Sequence, residues 1–358
     1  MVEPQSHRQL SLPTGTETLQ LREAARHRRI SRTLEDLFLA WGYDPMEMPL
    51  VDYFDVYRRF LAGQGIRHMY RAVDRQGEIL VLRSDVTLFL AKQLGTHLSA
   101  EELPVRVFYD AQIVRAEERD DISNNEYQQA GIELVGVPGM DGDAEVLLLA
   151  AAALDRLSLG GGALHIGSHE IIRAVAESFD HTDGAALREA VRRRETAINP
   201  LFTPLPEEVR RLLAFIGPLS AFERCIAALG AYPALRRAAE SLAEVVGVVE
   251  DVLSPARRDS LRIDTSELGA YSYYTGVAFG AYLAESNAAV IRGGRYDRLL
   301  EAFGFDAPSV GFSMYTRKLP ASTLAEAYRP VDAVSGSSFA DRIAEVRRHH
   351  AEGRRARL

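Results

Sequence analysis

Cysteine is nearly absent. Cys225 stands alone among 358 residues, which excludes an internal disulfide and a cysteine-based zinc site and sets a reducing, cytoplasmic compartment as the expectation. A surplus of positive charge is also missing: 42 Lys and Arg face 50 Asp and Glu, for a net charge of -8. A non-specific nucleic-acid binder is normally basic, so no nucleic-acid partner is expected. Long apolar runs are lacking too. Val146 to Leu154 is the longest, far short of the roughly 20 residues that span a bilayer, so no membrane association is expected. Met1 to His7 shows no apolar stretch behind a basic start and does not read as a secretory signal. His165 and His169 lie four apart in a segment that starts as a strand, with no carboxylates to complete a ligand set, and no Ser, His and Asp combine into a triad. Neither metal nor cofactor is therefore expected. What remains is ordinary for a globular chain, with 47% apolar and 26% charged residues. The length suggests about two domains, enough to bury a large core.

Periodicity divides the chain. Leu21 to Leu39 has Ile30, Leu34, Leu37 and Phe38 at helical spacing, ended by Trp41-Gly42-Tyr43. Glu47 to Val51 reads as a short strand and Met69 to Val73 with Ile79 to Leu82 as a hairpin, followed by a helix from Thr87. Val105 to Tyr109 and Ala111 to Val114 read as two strands. A polar loop joins them to a strand at Gln128 to Val135, and Ala144 to Leu157 is an apolar helix. After the strand Ala163 to Ile166 the texture turns helical from His169 to Leu253. It becomes β-like again at Leu261 to Asp264, Tyr271 to Tyr282, Ala288 to Arg292 and Val310 to Met314. This order predicts an α+β core, 12–168 and 254–319, interrupted by a helical domain, 169–253. The tail, 320–358, shows no core and no βαβ pattern, with one short helix at Ala340 to Arg355.

Several stretches carry chemistry. Gln129, Gly131 and Glu133 are spaced by two and share one sheet face. Two polar groups around a gap suit the floor of a small-molecule pocket, and equally the wet side of an antiparallel sheet. Leu82-Arg83-Ser84-Asp85-Val86-Thr87 is a strand-to-helix junction; Asp85 or Thr87 can cap the helix, or the pair can bind an ammonium group. Arg115 at a strand end can hold an anion over the sheet. Tyr271-Ser272-Tyr273-Tyr274-Thr275-Gly276 places aromatic hydroxyls on both faces of a strand. Gly293-Gly294-Arg295-Tyr296-Asp297 reads as a glycine turn that opens a helix, and Ser309 to Met314 as a strand whose Gly311 marks a close approach.

Taken in order, these segments resemble the catalytic domain of histidyl-tRNA synthetase, a class II synthetase, over about Leu12 to Leu319. The resemblance implies that family's fold: an antiparallel sheet flanked by helices, with an inserted helical domain. The departures are specific. Glycine, Gly269, stands where the synthetase signature has a catalytic arginine, and Lys318 stands where an arginine holds ATP phosphates. The loop after Arg115 carries Glu118, Asp120 and Asp121 where the synthetase is basic. No α/β anticodon-binding domain is evident after Leu319. A kept amino-acid pocket beside lost ATP and tRNA machinery resembles the regulatory subunits of ATP phosphoribosyltransferase, whose Ser-Tyr-Tyr-Thr-Gly and Gly-Gly-Arg-Tyr motifs match 272–276 and 293–296.

That resemblance implies a non-catalytic role in the first step of histidine biosynthesis, partnership with a short-form catalytic subunit, and feedback inhibition by histidine. It also implies a homodimer, through the Glu47 to Val51 region, within a hetero-oligomer. Carried over by position, Asp85 and Thr87 face the ligand ammonium and Gln129 bridges to its backbone end. Glu133 and Tyr274 meet the imidazole with Tyr273 beside it, and Arg115 attracts the carboxylate. No catalytic residue is expected. Two other functions remain open: a truncated histidyl-tRNA synthetase, and a histidine-sensing module of another pathway.

Overall fold

The structure is a computed structural model that describes residues 12–13, 15–58, 64–116, 125–179, 183–269, 271–286, 288–325, 332–335 and 338–357. The acidic stretch Glu118, Asp120 and Asp121 lies outside them. The strands among the described residues are β1 (Asp44–Pro45), β2 (Val51–Tyr53), β3 (Arg71–Val73), β4 (Ile79–Leu82), β5 (Val105–Val114), β6 (Glu126–Val135), β7 (Ala163–Ser168), β8 (Ile216–Gly217), β9 (Leu261–Asp264), β10 (Val277–Tyr282), β11 (Ile291–Arg295), β12 (Ser309–Tyr315), β13 (Asp332–Ala333) and β14 (Ala356–Arg357). Nine of them form one sheet in the order β1-β5-β6-β12-β11-β10-β7-β9-β8. Its six central strands are antiparallel, but β1 joins β5 and β9 joins β7 in parallel, so the sheet is mixed rather than wholly antiparallel.

Strand alternation sorts side chains into two layers. On β6, Ala130, Ile132 and Leu134 enter the large core with Phe312 and Met314 of β12. The helix Leu21–Ala40 adds Ile30, Leu34, Leu37 and Phe38 to it, at the i, i+4, i+7 and i+8 positions of one helix face. The helix Gly139–Arg156 brings the apolar run to the same side, backed by the helix Pro233–Val252. On the opposite face Tyr127 and Val135 join a second core with the helix Val86–His97 and the three-stranded sheet β2-β4-β3. The candidate site lies on this second face.

Several local expectations change. Val105 to Val114 is one ten-residue strand, because Asp110 keeps its ladder partner Ala130 and continues the pairing that a break would have lost. Tyr271 to Gly276 is not strand; β10 starts at Val277. Gly293-Gly294-Arg295 lies within β11 and opens no helix. A Cβ at Gly293 would strike Phe279 and the Gly311 carbonyl, so this glycine permits close strand packing. Glu47 to Val51 pairs only from Val51 onward. The segment 169–253 is helical as read, with helices His169–Ser178, Gly184–Arg192, Glu207–Leu213, Leu219–Ala227 and Pro233–Val252, yet it also lends β8 to the sheet edge. The tail differs most. β13, the helix Phe339–Ala351 and β14 make a small βαβ unit with parallel strands. Ser338 caps its helix in a capping box with Asp341, which accounts for the sharp start.

Candidate functional site

The floor of the site is built by alternation. Gln129, Gly131 and Glu133 of β6 face the same side as Gly311, Ser313 and Tyr315 of the adjacent β12. Gln129 and Glu133 are each 1% exposed, which excludes the wet sheet face. The glycines are there for room. A Cβ at Gly311 would overlap the Glu133 carboxylate, and one at Gly131 would lie 2.6 Å from the Tyr109 hydroxyl. Tyr109, from β5, shares a 2.6 Å hydrogen bond with Ser313 Oγ.

Over the floor stands the N-terminus of the helix Val86–His97. Asp85 is its N-cap and accepts from the Leu88 amide at 3.3 Å, so the capping role is realised. The same carboxylate also lines the recess. Thr87 Oγ1 donates to Glu133 Oε1 at 2.8 Å, and Gln129 Oε1 accepts from the Val86 amide at 3.3 Å, leaving the Gln129 NH2 for other partners. Glu133 Oε2 is buried with no hydrogen-bond partner, and so is the Tyr296 hydroxyl. Buried polar atoms are normally satisfied. Tyr296 lines the recess, and Glu133 lies beneath its Thr87 wall.

The charges are unbalanced in the same sense. Burial pushes the Glu133 carboxyl pKa well up; Thr87 opposes the shift and the Asp85 charge adds to it. Burial also raises Asp85, against the pull of Arg115. The Arg115 guanidinium makes four hydrogen bonds. Nε donates to the Ser84 carbonyl at 2.7 Å, and Nη1 to the Tyr315 hydroxyl at 3.3 Å. Nη2 donates to the Tyr271 hydroxyl at 3.1 Å and to Asp85 at 3.4 Å. Burial opposes its charge, yet Tyr271, Tyr315 and Asp85 together hold its pKa above the usual arginine value. Arg115 thus contacts Asp85 and two tyrosine hydroxyls around the recess.

The roof is formed by residues 268–269 and 271–276. Tyr271 stacks on Tyr273 at 5.1 Å, Tyr273 leans on Tyr274 at 5.0 Å, and Tyr296 meets Tyr273 edge-on at 5.6 Å. One residue clamps both ends of this loop: the His169 amide donates to Gly276 O at 2.9 Å, and His169 Nε2 lies 2.6 Å from Leu268 O. Burial holds the ring neutral and brings its pKa down to about 4, although the Leu268 carbonyl contact works the other way. Gly269 sits at φ +64°, where a Cβ would lie 2.6 Å from Tyr274. Lys318 Nζ rests 4.9 and 5.0 Å from the ring centroids of Tyr127 and Tyr315.

The structure thus gathers Asp85, Thr87, Gln129, Tyr273 and Tyr274 on one recess wall, with Glu133 beneath and Arg115 behind. Its free volume is only about 20 Å³, room for roughly one water molecule. A cleft of about 610 Å³ lies on the other side of Tyr274, towards His169 and Arg188. Tyr109, Arg292 and Tyr296 belong to the site without having been singled out from sequence. The signal for Arg292 is its place two residues before Gly294, on the same strand face. Among the described residues no group of His, Cys, Asp and Glu could hold a metal ion, and no helix is long and apolar enough to cross a membrane.

Comparison with known proteins adds an independent line. The model of the family described as histidyl-tRNA synthetase matches residues 15–319. An ATP phosphoribosyltransferase regulatory subunit of Symbiobacterium thermophilum is 33% identical over 315 residues, 86% of this chain and 78% of the relative. One from Anaeromyxobacter dehalogenans is 32% identical over 318 residues, 85% and 89% of the two chains. Among solved structures, an ATP phosphoribosyltransferase regulatory subunit/histidyl-tRNA synthetase from Bacillus halodurans superposes with a TM-score of 0.82 at 23% identity, covering 97% of this chain and 92% of that one. A histidyl-tRNA synthetase from Nostoc gives 0.77 at 18% identity, covering 97% and 85%. At these identities the structures speak for the fold alone.

Proposed function

We propose, from the premise that this chain belongs to the histidyl-tRNA synthetase family and within it to the ATP phosphoribosyltransferase regulatory subunits, that it is a non-catalytic partner of a short-form ATP phosphoribosyltransferase. In that role it supports the first step of histidine biosynthesis and brings feedback inhibition by free histidine. The observation that carries the histidine part is the orphaned, buried Glu133 Oε2 beside Asp85, Thr87 and Gln129. A buried carboxyl oxygen with no donor suits a ligand that donates to it, and an imidazole with an α-ammonium brings such donors. The absence of catalysis is supported at two positions. Gly269 cannot carry an arginine in its present conformation, and Lys318 is packed between two rings, where a point charge lacks the guanidinium fork in any case.

Regulation follows from the tight fit. Histidine is far larger than the free volume, so its entry lifts Tyr271 to Tyr274. That loop is clamped by His169, the first residue of the helix that begins the helical block, so occupancy of the recess is felt there. A coupling of roughly 1–3 kcal/mol is enough for useful feedback. A homodimer through the region of Glu47 to Val51 fits the exposed Leu50, Val51, Tyr53, Val73 and Ile79 on and beside the β2-β4-β3 sheet.

The test is reconstitution with a short-form catalytic subunit. Co-purification, a gain in ATP phosphoribosyl transfer and its inhibition by histidine are expected; a catalytic subunit indifferent to this chain would reject the proposal. The truncated-synthetase reading is favoured by the intact recess alone, and histidine-dependent ATP–pyrophosphate exchange by the isolated chain would establish it instead.

A further inference from the structure

An α-amino acid brings a carboxylate as well as an ammonium, and the recess as described so far offers the Gln129 NH2 but no unpaired cation to meet it. Arg115 donates to four acceptors of the protein itself. Arg295, at the end of β11, donates to Asp143, Asp297 and the Val137 and Gly139 carbonyls. The arginine on the recess wall is Arg292. It is half-buried and forms no hydrogen bond or ion pair among the described residues. Its register neighbours are Ser313 on β12 and Gly280 on β10, and Ser313 is itself opposite Gly131. Tyr109 fills the space above Gly131, and Glu267 and Tyr282 that above Gly280, so Arg292 lines the recess from where it stands. Its charge reaches the site: burial, Asp85 and Glu133 push the Tyr274 hydroxyl pKa up, and Arg292 works against them.

We infer that Arg292 holds the α-carboxylate of the amino-acid ligand and so determines selection of histidine over its decarboxylated or reduced analogues. The assignment rests on the reading of the recess as a histidine site. It divides the ligand between two ends: the ammonium and imidazole go to Asp85, Thr87 and Glu133, and the carboxylate goes to a guanidinium supplied by the sheet floor rather than by the roof loop. A guanidinium suits this task because its two parallel N–H groups match a carboxylate. It also explains why glycine is tolerated at 269: the cation comes from another strand.

The experiment is calorimetric titration of the full chain with L-histidine and L-histidinol, in which a hydroxymethyl group replaces the carboxylate, for wild type, Arg292→Gln, Arg292→Lys and Glu133→Gln. Arg292→Gln is expected to weaken histidine roughly ten- to a hundredfold, the scale of one charge-assisted contact, while histidinol binding stays unchanged. Arg292→Lys recovers part of the histidine affinity, and melting temperatures report that each variant is folded. Unchanged histidine binding by Arg292→Gln, or equal loss of both ligands, overturns the assignment while Glu133→Gln still tests the recess. If the wild type binds neither ligand, the recess reading itself is overturned, and the assignment with it.

Discussion

Two buried carboxylates, Glu133 and Asp143, are 1% and 6% exposed, yet they are treated in opposite ways. Asp143 meets Arg295 Nε at 2.7 Å, and the same guanidinium is tied to Asp297 and two carbonyls. Burial still lifts the Asp143 pKa to about 6 against the pull of Arg295, but the pair is complete. Glu133 has one donor, Thr87, no cation in contact, and one oxygen with no partner. A closed pair keeps its charges satisfied in the folded state; an open one keeps a charge available at a cost to stability. The difference separates a carboxylate that serves packing from one held for a ligand.

The largest expected effect breaks the closed member. Arg295→Met leaves Asp143 buried and unpaired and should destabilise the fold by about 3–5 kcal/mol, read by urea unfolding; a loss below about 1 kcal/mol would put Asp143 in the same class as Glu133 and erase the contrast.

Next comes the clamp over the recess. The His169 pKa is about 4 in the fold against 6.5 for the free side chain. Between those values the unfolded chain binds more protons, so stability rises with pH. The contribution is fully present above about pH 6.5 and lost as pH falls towards 4, with an upper bound of about 3 kcal/mol at 1.36 kcal/mol per pKa unit. His169→Gln should flatten the melting temperature against pH over that window. An unaltered slope would mean that the ring does not hold the loop.

The open member is sharpened by binding. Glu133→Gln should weaken histidine by about 1.5–3 kcal/mol and leave the melting temperature unchanged or raised, since a buried unpaired acid is removed. Because the free-protein pKa is raised and a cationic ligand lowers it, wild-type binding should release protons and strengthen as pH rises until the free carboxyl ionises. Calorimetry in two buffers of different ionisation enthalpy measures this. Proton uptake on binding would contradict it.

The smallest effect concerns the roof. Gly269→Ala places a Cβ at φ +64° and should cost about 1–2 kcal/mol; no measurable loss would mean that the loop rearranges freely and that the arginine position of the synthetases is not closed by backbone geometry.

Much of this contrast was partly legible beforehand. The spacing of Gln129, Gly131 and Glu133 put them on one face, and that face is the floor of the recess. The helix of residues 21–40 followed from its apolar stripe. The tyrosine segment, by contrast, reads as strand because aromatics favour strands, whereas a left-handed glycine and the two His169 hydrogen bonds make it a loop. The diglycine reads as a helix opening, but steric demand from Phe279 and Gly311 keeps it in β11. The βαβ unit of the tail escaped notice because each of its strands is only two residues long, too short for alternation to register.

Residue order alone determined which side chains of β6 share a face and that residues 21–40 carry one apolar helix stripe, because those properties depend on neighbours a few positions apart. Which acid is answered by a cation was settled only in three dimensions. Among the described residues, Asp143 finds its arginine 152 positions away, Glu133 accepts from a threonine 46 positions away and keeps one oxygen unmet, and Arg292 forms no hydrogen bond or ion pair. Such pairings depend on how separate strands and helices are brought together, and no local pattern encodes a partner that distant or an absence that specific.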